Sequence, residues 1–371
     1  MNTIICTVGA SMIGNLQSTG LKNDFDNENI DKIIDYYLNL DEDPEMSRKY
    51  GAEINSTVSI LKKGYLHERK NIYFLVSDTK DGRKIGKILE GYFKSVKDFK
   101  FENVKVVVVE KLDDSRPQDF KIYGLKNLIK EMAKIIKLHI GNVIINATGG
   151  YKAQIAFALT LGQGLKVPVY YRFETFPEVI ELEPLPIDLD HSWYFLAKNL
   201  FEEFDGRENL VPLKDVEDLY KSLPEETKIF FDIEKIDDTD YIAISTMGQI
   251  YLEVVKNKLY FLEKHVELKE RDKEFKFISS GKRGNLNHVI DKYNLEELFS
   301  EFKYITNARV VKFSENEKSE GFKIKTKGNE IVVILNTKNG LVHLEIETTA
   351  RNELELEIIK SKLEEYLSDK F

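Results

Sequence analysis

An apolar run, Asn142-Val143-Ile144-Ile145-Asn146, empties into Ala147-Thr148-Gly149-Gly150-Tyr151-Lys152, and a helical pattern follows to about residue 165. A strand that breaks at glycine and restarts as a helix leaves the first N–H groups of that helix without backbone partners, and such groups receive phosphate well. The amino-terminal strand, Thr3 to Val8, ends in a second turn of this kind, Gly9-Ala10-Ser11-Met12. Two such turns at the carboxyl ends of parallel strands frame a ligand crevice. Neither is a GxGxxG fingerprint, and neither carries the Gly-Lys-Ser/Thr of a Walker A loop. On spacing alone, Gly149 and Gly150 serve equally well as a tight strand-to-helix turn.

Up to about residue 184, strand-like runs at 3–8, 71–76, 104–109, 142–146 and 167–173 alternate with helical periodicity near 28–40, 52–64, 83–94, 120–138 and 151–165. Alternation of this kind predicts an α/β fold, a doubly wound, Rossmann-like parallel sheet with helices on both faces. Val106-Val107-Val108-Val109 lacks in/out alternation, which suits a strand buried on both sides. Pro184-Leu185-Pro186 disfavours helix before it and marks a domain boundary, giving a first domain over 1–184.

The segments Thr7-Val8-Gly9-Ala10-Ser11 and Asn146-Ala147-Thr148-Gly149-Gly150-Tyr151-Lys152 resemble the CRISPR-associated Rossmann-fold (CARF) sensors, over roughly the first half of the chain. The resemblance implies a homodimer that binds cyclic oligoadenylate, the messenger of type III CRISPR complexes, across its two-fold axis. Cyclic tetra-adenylate is the ring that two-fold symmetry favours. It also implies ligand contacts at Gly9, Ala10, Ser11, Met12, Asn146, Thr148, Gly149, Gly150 and Lys152.

The length, 371 residues with 42% hydrophobic content, allows two or three packed domains. No apolar run reaches a membrane span and no secretory leader is evident, so the expectation is a cytoplasmic protein with no membrane partner. The single cysteine, Cys6, lies inside the first strand and offers neither a disulfide framework nor a zinc cluster. A net charge of −9 argues against gripping nucleic acid by bulk electrostatics. Local charge differs: between Lys303 and Asn329 the basic residues are Lys303, Arg309, Lys312, Lys318, Lys323, Lys325 and Lys327, against Glu315, Glu317 and Glu320.

Residues 190–264 read as a winged-helix-like linker module: helices over 193–204 and 213–223, a strand-turn-strand over 229–244 with Asp237-Asp238 at its tip, and a helix from Thr246. The helix at 246–257 is not notably basic, which favours dimer contacts over DNA reading. Residues 265–371 read as a small α+β unit with an antiparallel sheet: helices over 284–302, strands over 309–313, 321–327, 330–336 and 341–347, and a helix over 352–368. Asn339-Gly340 supplies hairpin chemistry. In Gly321 to Lys327, alternation projects Lys323, Lys325 and Lys327 together while Phe322 and Ile324 turn inward. A solvated, lysine-blunted strand would show the same pattern.

The segment Gly321 to Tyr366 is similar to the carboxyl-terminal half of RelE-type toxin ribonucleases, with an aromatic-Lys-Ile-Lys strand, further hairpin strands and an arginine-bearing turn into a closing helix. That resemblance implies that Lys323, Lys325 and Arg351 act at a scissile phosphate; Lys327, on the same strand face, is a further catalytic candidate, and His343, with His288 or Arg309, is a candidate substitute in acid/base or phosphate roles. The arginine usual on the next strand is replaced near Glu330, and the tyrosine of the last helix by Leu356 or Glu357. The implied chemistry needs no metal or cofactor: a base activates the ribose 2′-OH, cations stabilise the phosphorane, and an acid protonates the leaving oxygen. The expected protein is a ring-activated, metal-independent endoribonuclease acting on RNA, with or without the ribosome, and open to slow cleavage of its own activator. Other readings are an Arg-x4-His (HEPN-like) ribonuclease through Arg283 and His288, a metal nuclease using Glu345 and Glu347, and a non-enzymatic ligand-gated DNA-binding regulator.

Overall fold

In the computed structural model, structure is described for residues 1–173, 176–204, 210–263, 266–279, 284–315 and 321–370. The amino-terminal part runs β1 (Thr3–Thr7), α1 (Ser11–Ser18), α2 (Lys22–Asp26), α3 (Ile30–Asn39), α4 (Ala52–Lys62), β2 (Asn71–Ser77), α5 (Lys80–Ser95) and β3 (Asn103–Val109). It continues with α6 (Pro117–Asp119), a single π-helical turn (Phe120–Gly124), α7 (Leu125–Leu138), β4 (Val143–Asn146), α8 (Lys152–Leu165), β5 (Val169–Tyr171) and β6 (Ile180–Leu182). These strands form one sheet of order β3-β2-β1-β4-β5-β6, parallel except for β6.

β1 and β4 are buried at every position, as a centre covered on both faces requires. Alternate residues feed two cores. Ile4, Cys6, Phe74 and Ile144 meet side chains of α1 to α5, whereas Ile5, Leu75 and Ile145 meet α7 and α8. The strand containing Val106-Val109 corrects the expectation of two-sided burial: β3 is an edge strand whose Val106, Val107 and Val108 are only half-buried, because β2 is its sole neighbour in the sheet.

Next come α9 (Ser192–Glu202), β7 (Val211–Pro212), α10 (Leu213–Lys221, with non-helical Val216), β8 (Phe231–Ile236), β9 (Thr239–Ile244) and α11 (Thr246–Glu263). β7-β9-β8 form a three-stranded sheet, and Asp237 and Asp238 make its tip with positive φ angles of 45° and 61°. The last part holds β10 (Lys276–Ser279), α12 (Gly284–Lys292), α13 (Leu295–Glu301), β11 (Ile305–Ser314), β12 (Gly321–Lys327), β13 (Glu330–Thr337), β14 (Gly340–Thr348) and α14 (Glu353–Ser368). Its five-stranded sheet, β10-β11-β14-β13-β12, is mixed rather than antiparallel, because β10 runs parallel to β11.

The chain divides into two compact units: Met1–His191 with Arg207–Glu217 and Pro224–Val254, and Ser192–Gly206 with Asp218–Leu223 and Val255–Phe371. The β7-β9-β8 ribbon therefore groups with the large sheet, where the buried Lys126 Nζ donates to Ile244 O at 2.9 Å. Helix α9 groups with the carboxyl-terminal sheet. There Glu202 accepts from Thr326 N at 3.2 Å, Thr326 Oγ1 at 3.0 Å and Lys360 Nζ at 2.6 Å, and Lys198 meets Glu357 at 3.4 Å. No described helix is long and apolar enough to cross a membrane.

Candidate functional site

The strand order reverses direction between β1 and β4, and the turns that follow those two strands meet at this switch point, where open α/β sheets take ligands. Gly9, Ala10, Ser11, Thr148, Gly149 and Gly150 line a cleft of about 640 Å³ there. The helices leaving both turns, α1 and α8, have no side-chain cap; Ile13 N and Gln154 N turn back to Ala10 O and Tyr151 O, and the N–H groups just before them stay available to an anion.

Glycine is required where the two turns touch. A Cβ on Gly9 would stand 2.6 Å from Gly150 N, and one on Gly149 would strike Glu53 Oε1 and come within 2.7 Å of Thr7 O. Gly150 has φ +105°, and its Cα faces the Gln154 side-chain oxygen. Thr7 Oγ1 donates to Gly149 O at 2.5 Å, and Glu53 Oε1 accepts from Gly9 N at 2.8 Å.

Of the remaining residues expected at this site, Asn146 is buried beneath the second turn. Its Nδ2 donates to Ser56 Oγ at 2.8 Å and its Oδ1 accepts from Thr148 Oγ1 at 2.7 Å, so it shapes the turn from below. Met12 lies wholly in the core, and Lys152 is an exposed first residue of α8, outside the lining. Cys6 is buried as expected, and burial pushes its thiol up to about 12.

The opposite wall was not foreseen. Asn15, Arg48, Gly51, Asn55, Arg172 and Phe173 contribute to it. Arg172 Nη1 donates to Glu45 O at 2.5 Å, its Nε to Phe176 O at 3.1 Å, and its backbone N to Thr148 Oγ1 at 3.1 Å. Burial lowers its guanidinium pKa from the ordinary value. Its place just past β5, the strand next to β4, was the signal available in sequence.

In the carboxyl-terminal unit, β12 alternates as read: Ile324 and Thr326 are buried, Lys323 and Lys325 half-buried, Lys327 exposed. Lys325 pairs with Glu203 and Lys327 with Glu345, the latter at 2.9 Å. His343 on β14 lies across from Ile334, which in turn lies across from Lys323; burial first, then Lys312, holds its imidazole below the usual range. Arg351 is elsewhere. Its Nε donates to Glu355 Oε1 at 2.9 Å, and it lines a separate cleft of about 960 Å³ with Glu267, Tyr304 and Lys362, to which none of the three lysines contributes.

Of the alternative sites, Arg283 lies outside the described residues, as do residues 316–320 of the basic segment. His288 is on α12 and Arg309 on β11, where it faces Glu347 at 3.7 Å. Among the described residues no group of three His, Cys, Asp or Glu side chains is placed to hold a metal ion.

Fold and site together define a Rossmann-like α/β protein with a polar cleft at the switch point of its sheet. The protein family described as CRISPR-associated protein (Cas_APE2256) matches residues 48–185, a range that includes Arg48, Thr148 to Gly150 and Arg172 but not Gly9 to Ser11. No curated protein matches the chain. Among solved structures, Can2 from Sulfobacillus thermosulfidooxidans in complex with cyclic tetra-adenylate is 11% identical, with 92% of this chain and 78% of that chain covered and a TM-score of 0.25. Protein VC1899 from Vibrio cholerae is 10% identical over 92% and 79%, with a TM-score of 0.24.

Proposed function

We propose that this chain is an effector of type III CRISPR defence whose switch-point cleft binds cyclic oligoadenylate, with two copies clasping one ring, and whose carboxyl-terminal unit is a RelE-like ribonuclease. The observation that carries the reading is the meeting of two uncapped, glycine-bearing turns in a cleft whose second turn, with Arg48, Gly51, Asn55, Arg172 and Phe173 of the opposite wall, lies within the match to a CRISPR-associated family. Amides at the two helix starts, with Arg48 at the rim, suit the singly charged phosphodiesters of such a ring. Cyclic tetra-adenylate fits a two-fold dimer best.

The ribonuclease step rests on Lys323, Lys325 and Lys327 sharing a strand face with His343 two strands away. Lys325 and Lys327 each hold a carboxylate, so a phosphate must displace Glu203 and Glu345 before those cations can stabilise a phosphorane. Binding activates by favouring one dimer arrangement over another.

The experiment is calorimetric titration of the full chain with cyclic tri-, tetra- and hexa-adenylate, followed by RNA cleavage with each ring, with and without translating ribosomes. Tight binding of one ring and ring-dependent cleavage are expected. No affinity for any ring overturns the sensor assignment; ring binding without cleavage, together with salt-dependent duplex binding, turns the reading to a ligand-gated DNA-binding regulator.

A further inference from the structure

Three glycines from three segments, Gly9, Gly51 and Gly149, converge on the carboxyl group of Glu53, the second residue of α4. That side chain is 1% exposed. Its Oε1 is occupied by Gly9 N–H, while its Oε2 has no hydrogen-bond partner. Neither oxygen meets a cation among the described residues.

The groups that feel it offer no compensating charge: Cys6 on β1 and Tyr37 on α3, with Tyr50 stacked upon Tyr37, while Asn15 on α1 lies against Gly51 and Gln154 on α8 against Gly150. Arg48 lines the cleft but makes no bond to it. A carboxylate so placed would be an unpaired buried charge directly below a surface suited to anions, which is costly in itself and repels the ligand.

We propose, resting on the cleft's reading as a phosphodiester site, that Glu53 is its positioning residue and acts as a neutral carboxylic acid. Oε1 accepts the Gly9 N–H and so fixes the first turn against the second, and protonated Oε2 keeps negative charge from beneath the glycines. Burial raises the Glu53 pKa, outweighing the Gly9 and Glu53 backbone N–H groups that favour the charged form, in agreement. The sign follows: a carboxyl raised in the folded protein is neutral below that raised value, and as pH climbs through it from the ordinary carboxylate range, stability and anion affinity both fall.

The test uses the full-length wild type, Glu53→Gln and Glu53→Ala, with cyclic tetra-adenylate as probe and the thermal midpoint as a second readout, between about pH 5.5 and pH 8.5. Gln reproduces the neutral acid, since its oxygen accepts from Gly9 and its NH2 stands where the O–H stood. Wild-type affinity is expected to hold while the acid stays neutral and to fall, by about tenfold, once pH passes its raised value. Glu53→Gln should keep the low-pH affinity throughout, and Glu53→Ala should bind weakly at every pH. A wild-type affinity that falls with pH in parallel with that of the Gln variant, or a Gln variant binding no better than Ala, overturns the proposal.

Should the wild type bind no ring, the sensor assignment fails while the state of Glu53 is still read from the melting curves. A wild-type midpoint that declines with pH where the Gln midpoint does not supports the neutral acid. Parallel profiles refute it.

Discussion

Replacing Lys360 by methionine is the sharpest probe of how the carboxyl-terminal unit is held. Lys360 and Glu202 are 10% and 4% exposed at their side chains and meet at 2.6 Å, so losing the ammonium leaves Glu202 a buried carboxylate without its cation. Removing one partner of such a pair costs about 3–5 kcal/mol. Glu202 keeps two donors from Thr326, and Glu357 keeps Lys198, which places the loss near the lower end, about 3 kcal/mol. Trp193 on α9 is the only tryptophan in the chain, so its fluorescence follows this unit during urea unfolding. With a urea slope of about 2 kcal/mol/M, the midpoint should drop by about 1.5 M. Glu202→Gln combined with Lys360→Met removes both charges while keeping the volume, and should recover to within about 1 kcal/mol of wild type. A drop below about 0.5 M, or a double variant as unstable as the sum of the singles, would refute the account.

Gly149→Ala should weaken ring binding at least about tenfold, because the new methyl wedges the second turn away from Glu53 and Thr7 O, an overpacking cost of about 1–3 kcal/mol; calorimetry beside a melting curve separates this from unfolding. Lys325→Ala should slow RNA cleavage at least about tenfold, as loss of one electrostatic contact to the transition state is commonly worth about 3 kcal/mol, and full activity in EDTA should accompany the wild type. An unchanged rate removes Lys325 from the mechanism. Cys6, wholly buried and with its thiol pushed up to about 12, should resist alkylation at pH 8 until urea unfolds the first unit. Rapid labelling of the native protein would contradict its place in β1.

The parallel sheet was legible because Thr3 to Thr7 and Val143 to Asn146 are apolar without alternation, and the cleft was legible because both end in glycine-bearing turns. The same logic failed on Val106 to Val109, since an edge strand can carry the composition of a central one. β6 and β10, at three and four residues, are too short to show a period. Glu53 was invisible in sequence: its partner Gly9 is 44 positions away, and a glutamate near a helix start ordinarily signals a solvated first turn. Alternation on β12 was read correctly, but the carboxylate facing Lys325 comes from 122 positions upstream, where no local pattern announces it.

Helix α9 leaves the ribosome long before the strands and helix that receive it, since Glu202 finds Lys360 only 158 residues later. Until then Glu202 and Lys198 on this helix have neither Lys360 nor Glu357 to answer them. Nascent chains stalled before α14 should therefore carry α9 with the Glu202 carboxylate unanswered by Lys360, whereas a fragment cut at residue 265 would deprive Lys360 and Thr326 of that carboxylate. Any attempt to isolate the carboxyl-terminal module has to carry residues 192–204 with it, as a linked or separately supplied peptide.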